Sequence, residues 1–208
     1  MKYLRLLLTV GVLSAGACRP QPRADAVAVD HGSAPAERLS RLWKRPAFEF
    51  IDQDGQPFSA SQMDGRVWVV DFFYTTCPGP CPALSSRLSE LHRQFAANPK
   101  VGFLSISSNP EKDRPEVLKL YADKFAADAR WRFLTGDKAQ IFSVANQGFK
   151  MGLTEGSADG EPVTHSTRLL LLDQEGWVRG FYEGAGEGSE DASKRLVADI
   201  ETLSKGAK

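Results

Sequence analysis

Sulfur is scarce in this chain. Its 208 residues hold three cysteines and three methionines, and only three histidines stand beside them. So few thiols exclude a small domain framed by disulfides. Net charge is absent as well, because 26 acidic residues balance 26 basic ones. That removes the electrostatic footprint expected of a nucleic-acid binder. A long hydrophobic run is also missing. The uncharged stretch from Leu6 to Ala17 falls short of the roughly 20 apolar residues that a membrane-spanning helix requires. No internal repeat is visible, which argues against a solenoid.

What stands at the N-terminus is a secretory signal. Lys2 and Arg5 supply the positive start, and a short apolar segment follows. It closes on Ser14-Ala15-Gly16-Ala17-Cys18. Small residues leading into a cysteine resemble a bacterial lipoprotein cleavage site, with Ala15 where leucine is usual. The expectation is therefore a signal peptide over residues 1–18 with lipid on Cys18 and a membrane anchor, the alternative being plain export with cleavage nearby. Either way the domain works outside the cytoplasm, where thiols meet oxidants.

Residues 19–46 are rich in Ala, Pro, Arg and Asp without a sustained period. They read as a flexible tether, with a short helical turn near Ala36 to Trp43 and His31 as a solvated linker residue. The folded domain is expected over 47–208. Phe48 to Ile51 alternates ahead of Asp54-Gly55, the signature of a hairpin. Val67 to Phe73 and Val101 to Ile106 read as buried strands. Leu84, Leu88, Leu91 and Phe95 recur at helical spacing, and Pro115 opens a second helix. Trp131 to Leu134 reads as a short strand and Ala139 to Ala145 as a helix. Arg168 to Leu172 and Val178 to Tyr182 form a strand pair around Asp173-Gln174-Glu175-Gly176, and Ser189 to Leu203 a closing helix. Gln147 to Thr164 is the longest irregular stretch. This order predicts an α/β fold, a thioredoxin-like mixed sheet flanked by helices with an N-terminal hairpin extension.

The chemistry centres on Cys77 and Cys81. They follow the strand Val67 to Phe73, with Pro78, Gly79 and Pro80 between them. The spacing predicts Cys77 at or near a helix start and Cys81 one turn further in, on the same face. A helix start favours a thiolate. Two such sulfurs can bond to each other or hold a soft ion, Cu(I) well and Zn(II) acceptably. A disulfide across so small a loop would add little stability. A metal needs a further ligand. His92 lies eleven residues beyond Cys81 on the predicted helix, about 16 Å along its axis, and is read as a structural residue. His165 enters the strand at Arg168, and in a thioredoxin-like arrangement that entry lies beside the cysteines. It is the candidate third ligand.

Three blocks resemble one family, the Sco/SenC proteins. They are Phe73-Tyr74-Thr75-Thr76-Cys77-Pro78-Gly79-Pro80-Cys81-Pro82, Asn109-Pro110-Glu111-Lys112-Asp113-Arg114-Pro115, and Val163-Thr164-His165-Ser166 before an apolar strand. The resemblance runs from about Phe48 to Leu203. It implies copper, Cu(I) or Cu(II), on Cys77, Cys81 and His165. It also implies a partner in the copper-receiving subunit of a cytochrome oxidase, whose dinuclear copper site the family helps to mature. Asn109 and Thr164 stand where the family carries Asp, and Gly79-Pro80 is unusual between the cysteines. Thr164 removes a carboxylate that would tune the histidine. Asp113 is either a residue of the helix N-terminal region or a neighbour of the site.

The alternative is a thiol-disulfide oxidoreductase with a periplasmic thiol partner, in which Cys77 attacks a disulfide and Cys81 resolves it. The pair would then cycle through a Cys77–Cys81 disulfide. A peroxidase would need Cys77 as its reactive thiol and Arg168 as the basic neighbour.

Overall fold

Seven consecutive buried residues, Val67–Phe73 (β3), form the axis of the molecule. The strand is β-branched and aromatic but for one position, and it is covered on both faces. In the computed structural model, which describes residues 39–156, 163–164 and 166–206, it lies inside a seven-stranded mixed sheet.

The other strands of that sheet are Glu49–Asp52 (β1), Pro57–Ser59 (β2), Val101–Ser107 (β4) and Trp131–Thr135 (β5). Thr154–Glu155 (β6) and Val163–Thr164 (β7) form a separate antiparallel pair. Arg168–Leu172 (β8) and Val178–Glu183 (β9) return to the main sheet, whose order is β2-β1-β5-β4-β3-β8-β9. β3 runs parallel to β4, and β4 to β5; the β1–β2 and β8–β9 hairpins pair antiparallel. The helices are Cys81–Gln94 (α1), Pro115–Lys124 (α2), Lys138–Ser143 (α3) and Ser189–Ser204 (α4). A widened turn, Val144–Gly148, continues α3. The mixed sheet and the N-terminal hairpin match the sequence expectation, whereas the stretch Gln147 to Thr164, expected to be irregular, carries the short strands β6 and β7.

Strand alternation divides the core into two layers. Val67, Val69 and Phe73 face the layer built with Leu84, Leu88 and Leu91 of α1, Leu118 and Tyr121 of α2, and Leu196 and Ile200 of α4. Trp68, Val70 and Phe72 face the layer with Phe50, Phe58, Ile141 and Phe149. Asp71 shares its parity with the first set, so a carboxylate sits in the layer under α1.

Residues Leu39 to Pro46, assigned from composition to the tether, are packed against the sheet. Leu39 is buried in the first layer, and its carbonyl accepts from Arg179 Nε at 2.6 Å. Trp43 Nε1 donates to the Gly148 carbonyl at 2.8 Å. Leu42 N and Val178 N exchange hydrogen bonds with the Val178 and Trp43 carbonyls at 3.0 and 2.8 Å. Two apolar anchors and a β-like pairing hold this strap, which is extended over Leu42 to Lys44 and not helical. The expected signal segment, Cys18 and His31 lie outside the described residues.

Candidate metal and thiol centre

β3 delivers the chain to the site. At its C-terminal end Tyr74 is buried, and its carbonyl accepts from Cys77 N at 3.3 Å, closing a turn. The chain then runs over exposed Thr76, Pro78, Gly79 and Pro80. α1 begins at Cys81 itself, with Pro80 as its cap and Leu84 N donating to the Pro80 carbonyl at 3.0 Å. The expectation that both cysteines share one helical face is thereby corrected. Cys81 is the first helical residue, and Cys77 lies in the turn ahead. Proline disfavours helical geometry in the residue before it, and Pro78 directly follows Cys77. Pro82, in the first turn, is tolerated because its missing N–H would be unpaired there anyway.

Neither cysteine is bonded in a disulfide. Cys81 is fully buried at the start of α1, whereas Cys77 is half-buried. Their side chains are close enough to interact. Burial pushes the Cys81 thiol far up from its ordinary value. The Cys77 thiol and the Asp71 charge act in the same direction, and a hydrogen bond with the Tyr74 backbone opposes them. An unloaded Cys81 is therefore a neutral thiol. The arrangement is one accessible sulfur over one sequestered sulfur.

Two carboxylates flank this pair. Asp71 is fully buried and neither of its oxygens has a hydrogen-bond partner. Ser105 stands opposite it in the β3–β4 register and accepts from the Trp131 indole at 2.9 Å. It moderates Asp71 without closing a hydrogen bond to it. Burial pushes the Asp71 carboxyl up to about 7. The Tyr121 hydroxyl, 3.0 Å from Ser85 Oγ, is pushed up to about 12, chiefly by burial and further by Asp71. Sequence reading passed over Asp71, although its signal was present: one carboxylate inside an apolar strand, six residues before the first cysteine.

Asp113 is the second, also fully buried. It does not cap α2, whose cap is Arg114. Its Oδ2 accepts from Thr75 N at 3.1 Å and from Ser107 Oγ at 2.5 Å, and its Oδ1 accepts from Thr75 Oγ1 at 2.5 Å. Asp113 lies one residue before the α2 cap, in the helix N-terminal region, while its carboxylate reaches Thr75, two residues before Cys77. The loop that carries it is itself laced to β3 and β4. Ser108 N donates to the Phe73 carbonyl at 2.7 Å, and Asn109 N donates to Ser107 Oγ at 3.1 Å.

The proposed third ligand, His165, lies outside the described residues. Its neighbours in sequence are placed: the β7 backbone pairs with β6, and Asn146 grips the chain before β6. There Asn146 Nδ2 donates to the Leu153 carbonyl at 2.7 Å, and Leu153 N donates to Asn146 Oδ1 at 2.6 Å. His92 is buried far along α1, with Nε2 2.9 Å from Asp128 Oδ1 and its ring against Phe103 and Trp131. This is the structural role expected of it. Arg168 turns to Ser166 Oγ at 3.2 Å and lies over the Phe181 ring. Among the described residues no cluster of three metal-ligating side chains occurs, and no helix is long and apolar enough to cross a membrane.

Comparison with known proteins places this arrangement among relatives. The sequence profile of the SCO1/SenC family matches residues 38–203. The chain is similar to a SCO1/SenC family lipoprotein from Bacillus anthracis str. Ames, at 30% identity and a TM-score of 0.70, over 77% of this chain and 95% of that one. It is similar to BsSco, a member of the Sco family of cytochrome c oxidase assembly proteins in which a disulfide switch was identified. That match has 28% identity and a TM-score of 0.68, over 80% and 95% of the two chains. Bradyrhizobium japonicum ScoI, solved with copper bound, matches at 26% identity and a TM-score of 0.63, over 77% and 99%.

Proposed function

This chain belongs to the SCO1/SenC family, and on that premise we propose that it is a copper-binding metallochaperone. Its role is to help mature the dinuclear copper site of a respiratory cytochrome oxidase. The observation that carries the reading is the adjacency of two thiols outside any disulfide, Cys77 half-buried and Cys81 sequestered. The donor chemistry fits the cargo, since two soft sulfurs suit Cu(I). A neutral Cys81 in a dry setting loses its proton readily only when a cation arrives to take the charge. His165, directly after β7, supplies the third ligand. Cys77 is the more exposed of the two, so an acceptor's thiolates reach it first and copper leaves by ligand exchange from the outer sulfur inward. The likeness to ScoI with copper bound and to an oxidase assembly protein supports the reading.

The protein acts at the cell envelope, held through lipid on Cys18 and facing the periplasm. Its likeness to the B. anthracis lipoprotein supports that placement. The test is metal analysis of the reduced, anaerobically purified protein after Cu(I) loading. One copper per chain is expected, lost in Cys77→Ser and Cys81→Ser. A parent that retains no copper after desalting refutes the reading.

The adjacency of the sulfurs also favours a second reading, thiol-disulfide exchange that readies an acceptor's cysteines. The Cys77 thiolate attacks a partner disulfide and releases one partner thiolate. Cys81 then attacks the mixed disulfide and releases the second, its proton passing to solvent. Two electrons pass to the partner, and a Cys77–Cys81 disulfide remains. Reduction of a model disulfide at equal rate by copper-free parent and His165→Ala supports this reading; no reduction by the dithiol refutes it.

A further inference from the structure

We propose that Asp113 and Thr75 form a clamp that sets the position of Cys77 over Cys81, with Asp113 as a positioning residue for copper capture. The inference rests on the copper reading and adds to it the residues that pre-form the sulfur pair. Cys77 lies in a turn whose following residues, Pro78 to Pro80, are exposed. Little packing holds that turn from outside. Inside, one fully buried carboxylate takes both the backbone N–H and the hydroxyl of Thr75, two residues before Cys77.

The same carboxylate binds Ser107 at the end of β4, and the Asp113 backbone N–H donates to the Asn109 carbonyl at 3.0 Å. The turn is thereby fixed to the sheet rather than to the helix that bears Cys81. All three donors to the carboxylate are neutral, so it neutralises no cation, and its three directed hydrogen bonds fix an orientation. Holding one ligand in place before the metal arrives reduces the ordering that binding must perform. Groups that orient metal ligands typically affect metal affinity by about 10–100-fold.

The chemistry of the clamp separates geometry from charge. Asn at position 113 retains one oxygen for Thr75 N–H and Ser107 Oγ, and its amide N–H can donate to Thr75 Oγ1, whose hydroxyl rotates to accept. Asp113→Asn therefore preserves the grip, and Asp113→Ala abolishes it. Thr75→Val removes one of the two Thr75 contacts without changing side-chain shape, and Thr75→Ser restores it.

The experiment uses the full chain, reduced, with two readouts. One is competition for Cu(I) against a chromophoric chelator. The other is the rate of Cys77 alkylation by iodoacetamide in the copper-free protein, followed by peptide mass spectrometry. Asp113→Ala and Thr75→Val are expected to bind Cu(I) about 10-fold more weakly and to be alkylated faster at Cys77. Asp113→Asn and Thr75→Ser should recover parental values in both. Should Asp113→Ala fail to fold, Thr75→Val against Thr75→Ser carries the comparison. Parental affinity and alkylation rate in folded Asp113→Ala and Thr75→Val overturn the clamp. Should the parent itself take up no Cu(I), the copper reading falls, and the alkylation rates alone decide the clamp.

Discussion

Replacing Asp71 with Asn should stabilise the protein at neutral and alkaline pH and leave it nearly unchanged in acid. Asp71 is fully buried, without a partner for either oxygen, and its carboxyl is raised from the ordinary 3.8 to about 7. Each unit between those values is worth about 1.4 kcal/mol, so the full interval is worth about 4 kcal/mol.

The sign follows from proton counting. Between pH 4 and 7 the folded protein keeps the proton and the unfolded chain has released it, so stability falls as pH rises through that window. Above pH 7 both states are ionised and the whole penalty stands. Asparagine matches the protonated acid in size and cannot ionise. Urea unfolding at pH 4, 6 and 8, under reducing conditions, measures the difference between variant and parent. It should be small at pH 4 and grow to about 4 kcal/mol by pH 8. Parallel pH profiles for the two proteins would refute the argument, because they would mean that the carboxylate is solvated or paired in solution.

Three further outcomes are expected. His165→Ala should weaken Cu(I) binding and leave Cys77–Cys81 disulfide formation intact; parental affinity in a competition assay would remove His165 from the ligand set. Gly184→Ala should destabilise by about 1–3 kcal/mol in thermal unfolding. A Cβ there would come within 2.1 Å of Leu84 Cδ1 and 2.9 Å of the Thr167 carbonyl oxygen, and an unchanged midpoint would refute that packing. Cys18→Ser should shift the protein from membrane to soluble fractions, and continued tight membrane association would argue for an uncleaved anchor.

The strands were legible because their runs are uninterrupted. Val67 to Phe73 is apolar at six of seven positions, and its bounds coincide with β3. Pro115 and the leucine spacing likewise announced α2 and α1. The start of α1 was harder, because a CxxxC spacing suggests a helix while the intervening prolines oppose one, and backbone sterics prevailed at Cys77. The strap was illegible in principle. Its composition is that of a linker, and its main anchoring partners, such as Gly148 and Arg179, lie more than a hundred residues away. The role of Asp113 is of the same kind, since its grip on Thr75 spans 38 positions and exists only once β3 and β4 lie side by side.

The strap has a consequence for how the protein can be handled and crowded. β9 is the last strand of the sheet, and the chain from Leu42 to Lys44 occupies the beginning of its outer rim. Bare rims of this kind recruit other chains into continuous ribbons. A form of the protein trimmed to begin at Ala47 would leave that rim open and uncover the hollow filled by Leu39, so it should self-associate where one beginning before Leu39 stays monodisperse.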